Sequence, residues 1–72
     1  MITYAPFWET LQASGETTYT LINHHRISSA TIDRLRHNRG INTLKLNDLC
    51  RILNCRVEDI LCYEPDDSDQ LL

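Results

Sequence analysis

Apolar positions recur at helical spacing along most of the chain. Tyr4, Phe7, Trp8 and Leu11 share one helical face, and Pro6 suits a first turn, where its missing N–H has no helical partner. Ser14-Gly15 ends this helix, with Gly15 free to take a left-handed cap. Thr17 caps a second helix by offering its hydroxyl to an unpaired amide, and Leu21 and Ile22 face inward from it. Ile27 plugs the corner of a tight turn at Arg26-Ile27. Ser28 caps a third helix, Ser29 to about His37, that turns Ile32 and Leu35 inward, and Asn38-Arg39-Gly40 stops it. Asn42 caps a fourth, in which Leu46, Leu49, Cys50 and Leu53 form the cleanest amphipathic stripe, closed by Asn54. Val57, Ile60 and Leu61 predict a short fifth helix, with Glu58 and Asp59 near its positive N-terminal end. Strand-like alternation is absent, so the expected fold is all-α, a compact bundle of five helices.

Seventy-two residues allow one domain with a core just large enough to fold alone. Residues 1–63 are expected to form that domain. The stretch from Glu64 to Leu72, EPDDSDQLL, is acidic, broken by proline and without sustained apolar pattern, so it reads as a disordered tail. The chain has no apolar run long enough for a membrane span, and its N-terminus lacks the charged flank and apolar stretch of a signal peptide. A cytoplasmic location is expected.

The net charge of −3 is unevenly spread. Residues 1 to 23 carry only Glu9 and Glu16. Residues 24 to 56 hold every basic residue, Arg26, Arg34, Arg36, Arg39, Lys45, Arg51 and Arg56, against Asp33 and Asp48. Residues 57 to 72 carry Glu58, Asp59, Glu64, Asp66, Asp67 and Asp69. A polyanion partner therefore fits the middle of the chain, although the whole-chain pI of about 5.4 argues against one.

Cys50, Cys55 and Cys62 have no CxxC spacing and read as buried thiols. His24, His25 and His37 share no zinc-finger spacing with them, so neither a metal nor a cofactor is expected. Trp8 reads as a core aromatic, and His25 as a neutral histidine half-buried at the corner of the turn. No nucleophile–base pair, carboxylate pair or phosphate-binding glycine loop is present, and so small a bundle leaves little room for a pocket. An enzyme or a small-molecule substrate is not expected.

The two helices around Arg26-Ile27, with an apolar angle inside and a polar, basic face outside, read as a helix-turn-helix. An ordered set of residues carries a wider resemblance: Leu21, Ile27-Ser28, Thr31-Ile32-Asp33-Arg34-Leu35, Asn38-Arg39, Ile41-Asn42, Leu49-Cys50-Arg51-Ile52-Leu53 and Val57-Glu58-Asp59-Ile60-Leu61. With this set, the chain resembles the Cro/lambda-repressor helix-turn-helix family in its small stand-alone form, over about residues 4 to 62. The resemblance implies a five-helix lambda-repressor-like fold in which the helix from Ser29 enters the major groove of double-stranded DNA. Three positions depart from the family pattern: Arg26 stands for the turn glycine, Ile22 for a small residue, and Thr18 for a glutamine that often reads a base. Arg26 either adopts a positive φ at a cost of about 1 kcal/mol or gives the turn another shape.

By the resemblance, Ser29, Ala30, Asp33 and Arg34 match the base-facing positions. Their chemistry suits the role: Arg34 can span O6 and N7 of guanine, Ser29 can reach several base edges, and the Ala30 methyl can meet a thymine methyl. Asp33 can accept from the cytosine amino group or instead orient Arg34 or Arg36. Thr18, Ser28, His37, Asn38 and Arg39 match positions that touch the DNA backbone, and Arg36, to one side of the same helix, adds a phosphate contact.

The expected function is that of a sequence-specific transcriptional regulator, a repressor binding a two-fold operator as a homodimer through the surroundings of the fifth helix, Cys62 and Tyr63. The competing reading is a helix-turn-helix module that binds a protein, as an antitoxin or adaptor does.

Overall fold

In the computed structural model, which describes residues 1–70, four helices enclose a core of ten buried apolar side chains. Tyr4, Phe7 and Leu11 enter it from helix α1 (Ala5–Ser14) and the residue before it. Leu21 comes from α2 (Thr18–Asn23), Ile27 from the turn, Ile32 and Leu35 from α3 (Ser29–Arg36), and Leu49 and Leu53 from α4 (Thr43–Leu53). Ile60 completes it, and Trp8, Ile22, Leu46 and Cys50 pack partly buried against its rim. The inward register expected from helical spacing holds at each of these positions.

The caps explain where each helix begins and ends. Thr17 Oγ1 accepts from the Thr20 amide at 3.1 Å while Thr20 Oγ1 accepts from the Thr17 amide at 2.9 Å, a reciprocal box that satisfies two first-turn donors. Ser28 Oγ accepts from the Thr31 amide at 3.1 Å, and Asn42 Oδ1 from the Lys45 amide at 2.8 Å. Gly15, at φ 82°, and Asn54, at φ 51°, form left-handed C-caps as their residue types predict.

The C-terminal third departs from expectation. In place of a fifth α-helix, Val57–Asp59 makes a single 3-10 turn, capped by Asp59 Oδ2 accepting from the Arg56 amide at 3.0 Å. Val57 is exposed there, whereas Ile60 is fully buried. Helix propagation needs more than one turn of chain, and here the next residues are taken by another partner. Cys62–Tyr63 forms a strand, β2, antiparallel to β1 (Ile2–Thr3), with Ile2 opposite Tyr63 and Thr3 opposite Cys62. Two-residue strands are too short to display alternation, so the sequence pattern does not reveal them. The fold is mostly helical and all-α in class, as expected, but with four α-helices rather than five among the described residues and a small ribbon joining its ends.

Beyond the ribbon the chain runs beside the N-terminus. The Glu64 amide donates to the Met1 carbonyl at 2.8 Å, and Asp66 Oδ1 accepts from the Ser68 amide at 2.8 Å. The expected disordered tail also includes Leu71 and Leu72, which lie outside the described residues.

The three cysteines are half-buried rather than buried. Cys50 and Cys55 flank the α4 C-cap, where the Cys55 amide donates to the Cys50 carbonyl at 3.0 Å. Burial, with Cys50 and Asp59 nearby, pushes the Cys55 thiol up to about 11. Among the described residues no cluster of histidine, cysteine or acidic side chains is arranged to hold a metal, and no helix is long and apolar enough to cross a membrane.

Candidate nucleic-acid interface

An α-helix turns 100° per residue, so residues 29, 30, 33 and 34 fall on one side of α3 and residues 31, 32 and 35 on the other. The burial follows this division: Thr31, Ile32 and Leu35 are buried, while Ser29, Ala30, Asp33 and Arg34 are exposed together. The four expected base-facing residues thus form one continuous polar face. Thr31 is the buried polar residue of the inner side, and its hydroxyl bonds Ser28 Oγ at 2.9 Å, which removes the penalty of burying it unpaired.

The turn from α2 into α3 explains how that face is presented. His24 closes α2, its amide donating to the Thr20 carbonyl at 2.8 Å. Arg26 then takes φ 59°, the left-handed conformation that glycine adopts without steric cost, and the Ile27 amide donates to the Leu21 carbonyl at 2.9 Å. This closure drives Ile27 into the core and sends the chain off in the direction of α3. His25 is less enclosed than its position suggests. Its side chain is 33% exposed, with Nε2 3.4 Å from Glu16 Oε1. That carboxylate also accepts from Thr20 Oγ1 at 2.6 Å. The Thr20 hydrogen bond, followed by His25, holds Glu16 below the usual carboxylate range.

The residues expected on the DNA backbone are spread over α2, the cap and end of α3 and the loop that follows it. Thr18 is half-exposed at the start of α2. Ser28 is exposed, with its hydroxyl committed to the cap. His37 Nδ1 lies 3.3 Å from Asp33 Oδ1 and 2.9 Å from the Asp33 carbonyl. The carboxylate of Asp33 therefore faces His37, not Arg34 or Arg36. Arg36 reaches back to α1, its guanidinium 5.6 Å from the centre of the Trp8 ring. Asn38, at φ 55°, spends its carboxamide oxygen on the Tyr4 amide at 3.0 Å. Arg39 is exposed, and among the described residues it has no carboxylate within ion-pair distance.

One component escapes the sequence reading. Ser28, Ala30, Thr31, Arg34, Ile41, Asn42 and Lys45 line an open cleft of about 230 Å³ between α3 and the start of α4. Arg34 lines it, Nη1 donating to the Gly40 carbonyl at 3.4 Å, and Lys45 lines the same cleft. Lys45 enters the sequence reading only as one charge among seven. Its position three residues after the Asn42 cap, in the first turn of α4, is the signal that places it beside α3.

No curated protein sequence matches the chain significantly. Among solved structures, the crystal structure of the transcriptional regulator VanUg is similar, with a TM-score of 0.80 at 25% identity over 90% of this chain and 87% of that one. Residues 7–66 match the family of Cro/C1-type HTH DNA-binding domains, which spans all four helices apart from the first two residues of α1. A match over most of the chain, joined to the fold and the outward polar face of α3, makes the protein a member of the Cro/C1-type helix-turn-helix DNA-binding domain family.

Proposed function

We propose that the protein is a sequence-specific DNA-binding transcriptional regulator in which α2 and α3 form the helix-turn-helix and α3 enters the major groove. The observation that carries this reading is the continuous exposed face of Ser29, Ala30, Asp33 and Arg34, accompanied by the exposed Arg39 and by the half-buried Lys45, which lines a cleft with Arg34. Arg34 reads a guanine, Ser29 and Ala30 contact neighbouring base edges, and Asp33 accepts from a cytosine amino group or orients His37. Thr18, Ser28, Arg36, His37, Asn38 and Arg39, joined by Lys45, set the register on phosphates. The protein acts in the cytoplasm as a repressor, binding a two-fold operator as a homodimer, because one such module places few side chains on bases.

Selection of bound fragments from a random duplex pool tests this reading. A recovered two-fold motif is the expected result. Loss of enrichment at moderate salt favours the second reading, a module whose partner is a protein. What supports that second reading is apolar exposure on two of the helices: Tyr19 of α2 is 67% exposed and Leu44 of α4 is 74% exposed.

A further inference from the structure

Two hydrogen bonds from a single residue hold the loop that leaves α3. Asn38 takes a left-handed conformation, and the Arg39 amide donates to the Arg34 carbonyl at 2.8 Å, closing α3 with a Schellman-type bond. Asn38 Oδ1 accepts from the Tyr4 amide at 3.0 Å, and the Tyr4 hydroxyl donates to the Arg39 carbonyl at 2.7 Å. Tyr4 is 3% exposed, so its ring is anchored in the core while its two polar groups reach consecutive residues of the loop. Neither bond uses the Arg39 side chain, which stays exposed. Gly40 follows directly, with no atom within 4 Å of where a Cβ would be, and its carbonyl takes the long 3.4 Å contact from Arg34 Nη1.

We propose that Tyr4 and Asn38 are positioning residues for Arg39: their clasp fixes the backbone from which the Arg39 guanidinium reaches a DNA phosphate. The proposal rests on the DNA-binding reading above. A long flexible side chain makes a phosphate contact efficiently only if its point of attachment is fixed, since each additional freedom must be lost on binding. Asn38 thereby acts through its carboxamide oxygen, on Tyr4.

The test is a double-mutant cycle read on a short random-sequence DNA duplex over a salt series, below the melting temperature of each variant. Arg39→Ala should lower the log–log salt slope by about 0.9, the loss of one phosphate contact. Tyr4→Phe, which removes only the hydroxyl, should lower the slope in the same direction, and the double variant should fall no further than Arg39→Ala alone. Asn38→Gly keeps the positive φ and removes the carboxamide, and combined with Arg39→Ala it should likewise fall no further than Arg39→Ala alone; a further fall would mark a direct phosphate contact from Asn38 and overturn its positioning role. A Tyr4→Phe slope equal to that of the wild type, or additive effects in the double variant, overturns the proposal while leaving DNA binding in place. A wild-type protein that leaves the duplex unbound at low salt overturns the DNA-binding reading itself, and the clasp's role with it.

Discussion

The guanidinium of Arg36 lies over the face of Trp8, 5.6 Å from the ring centre, and Trp8 in turn meets Phe7 edge-on at 4.8 Å. The last turn of α3 is thereby tied to α1 by a cation–π contact at the edge of the core. Such a contact leaves the N–H edge of the guanidinium free, so Arg36 can serve the fold and a phosphate together. Arg36→Gln should cost about 0.5–1 kcal/mol of stability and change the Trp8 emission spectrum. On DNA the same variant should flatten the log–log salt slope by about 0.9. An unchanged slope beside a changed emission would assign Arg36 to the fold alone.

The turn yields a prediction of opposite sign. Arg26 holds φ 59°, a region in which its Cβ crowds the following carbonyl. Arg26→Gly removes that crowding and frees the unfolded chain, two effects that oppose each other. Because Arg26 is exposed and makes no ion pair among the described residues, strain relief should prevail. Urea unfolding should give equal stability or a gain of up to about 1 kcal/mol. A loss greater than about 1 kcal/mol would show that the arginine side chain contributes more to the native state than its backbone costs.

Ile32 tests the core. It is 2% exposed and lies on the inner side of α3, so Ile32→Ala should cost about 2–5 kcal/mol. In a domain this small, 1 kcal/mol shifts Tm by roughly 4–8 °C, so the fall should be large in a thermal melt. A fall of only a few degrees would mean that the site collapses without a cavity.

The parts of the fold legible in the sequence are those controlled by neighbours a few residues apart. Leu21, Ile32, Leu35, Leu49 and Leu53 declare their burial through helical spacing, and Thr17, Ser28, Asn42, Gly15 and Asn54 declare the helix ends. The parts that were not legible depend on partners far along the chain. Ile2 pairs with Tyr63, and that pairing takes up residues that would otherwise extend a fifth helix. Asn38 has the composition of a phosphate contact, yet its oxygen goes to Tyr4, which is 34 positions away. Arg36 on Trp8, and Lys45 in one cleft with Arg34, follow the same rule. The type of a side chain was readable, and the tertiary neighbour that decides its use was not.

Acid should loosen the turn between α1 and α2. The Glu16 carboxylate, held below its usual range first by the Thr20 hydroxyl and then by His25, favours the folded state wherever it is ionised. Its folded-state pKa is depressed, so this contribution is present above the ordinary glutamate value and is lost as pH falls through the depressed one. Glu16→Gln should therefore be less stable than the wild type near neutrality, where this contribution is fully present, and the gap should close as pH falls through the acidic window. Parallel urea midpoints measured through the window check it. Two curves that fall in parallel would assign the acid sensitivity to other carboxylates.

Arg34 is the most exposed part of the DNA proposal, because two geometries compete for it. In the free protein its Nη1 donates to the Gly40 carbonyl at 3.4 Å, a long contact along the cleft shared with Lys45. That contact is weak enough to be exchanged for a bidentate pair with O6 and N7 of a guanine. If Arg34 makes the exchange, Arg34→Ala should lose about 1–3 kcal/mol on the cognate site and relax preference at one base pair of each half-site. Half-sites should lie about 34–36 Å apart if two protomers bind one face of the duplex. If Arg34 stays in the cleft, it and Lys45 only raise the local positive potential, and Arg34→Ala should weaken cognate and scrambled duplexes equally. Titrating both duplexes with wild type, Arg34→Ala and Lys45→Ala separates the cases. Lys45→Ala should weaken the two duplexes alike in either case, and so sets the scale for a contact that carries no sequence information. An Arg34→Ala profile that coincides with it would remove α3's arginine from the base-reading face.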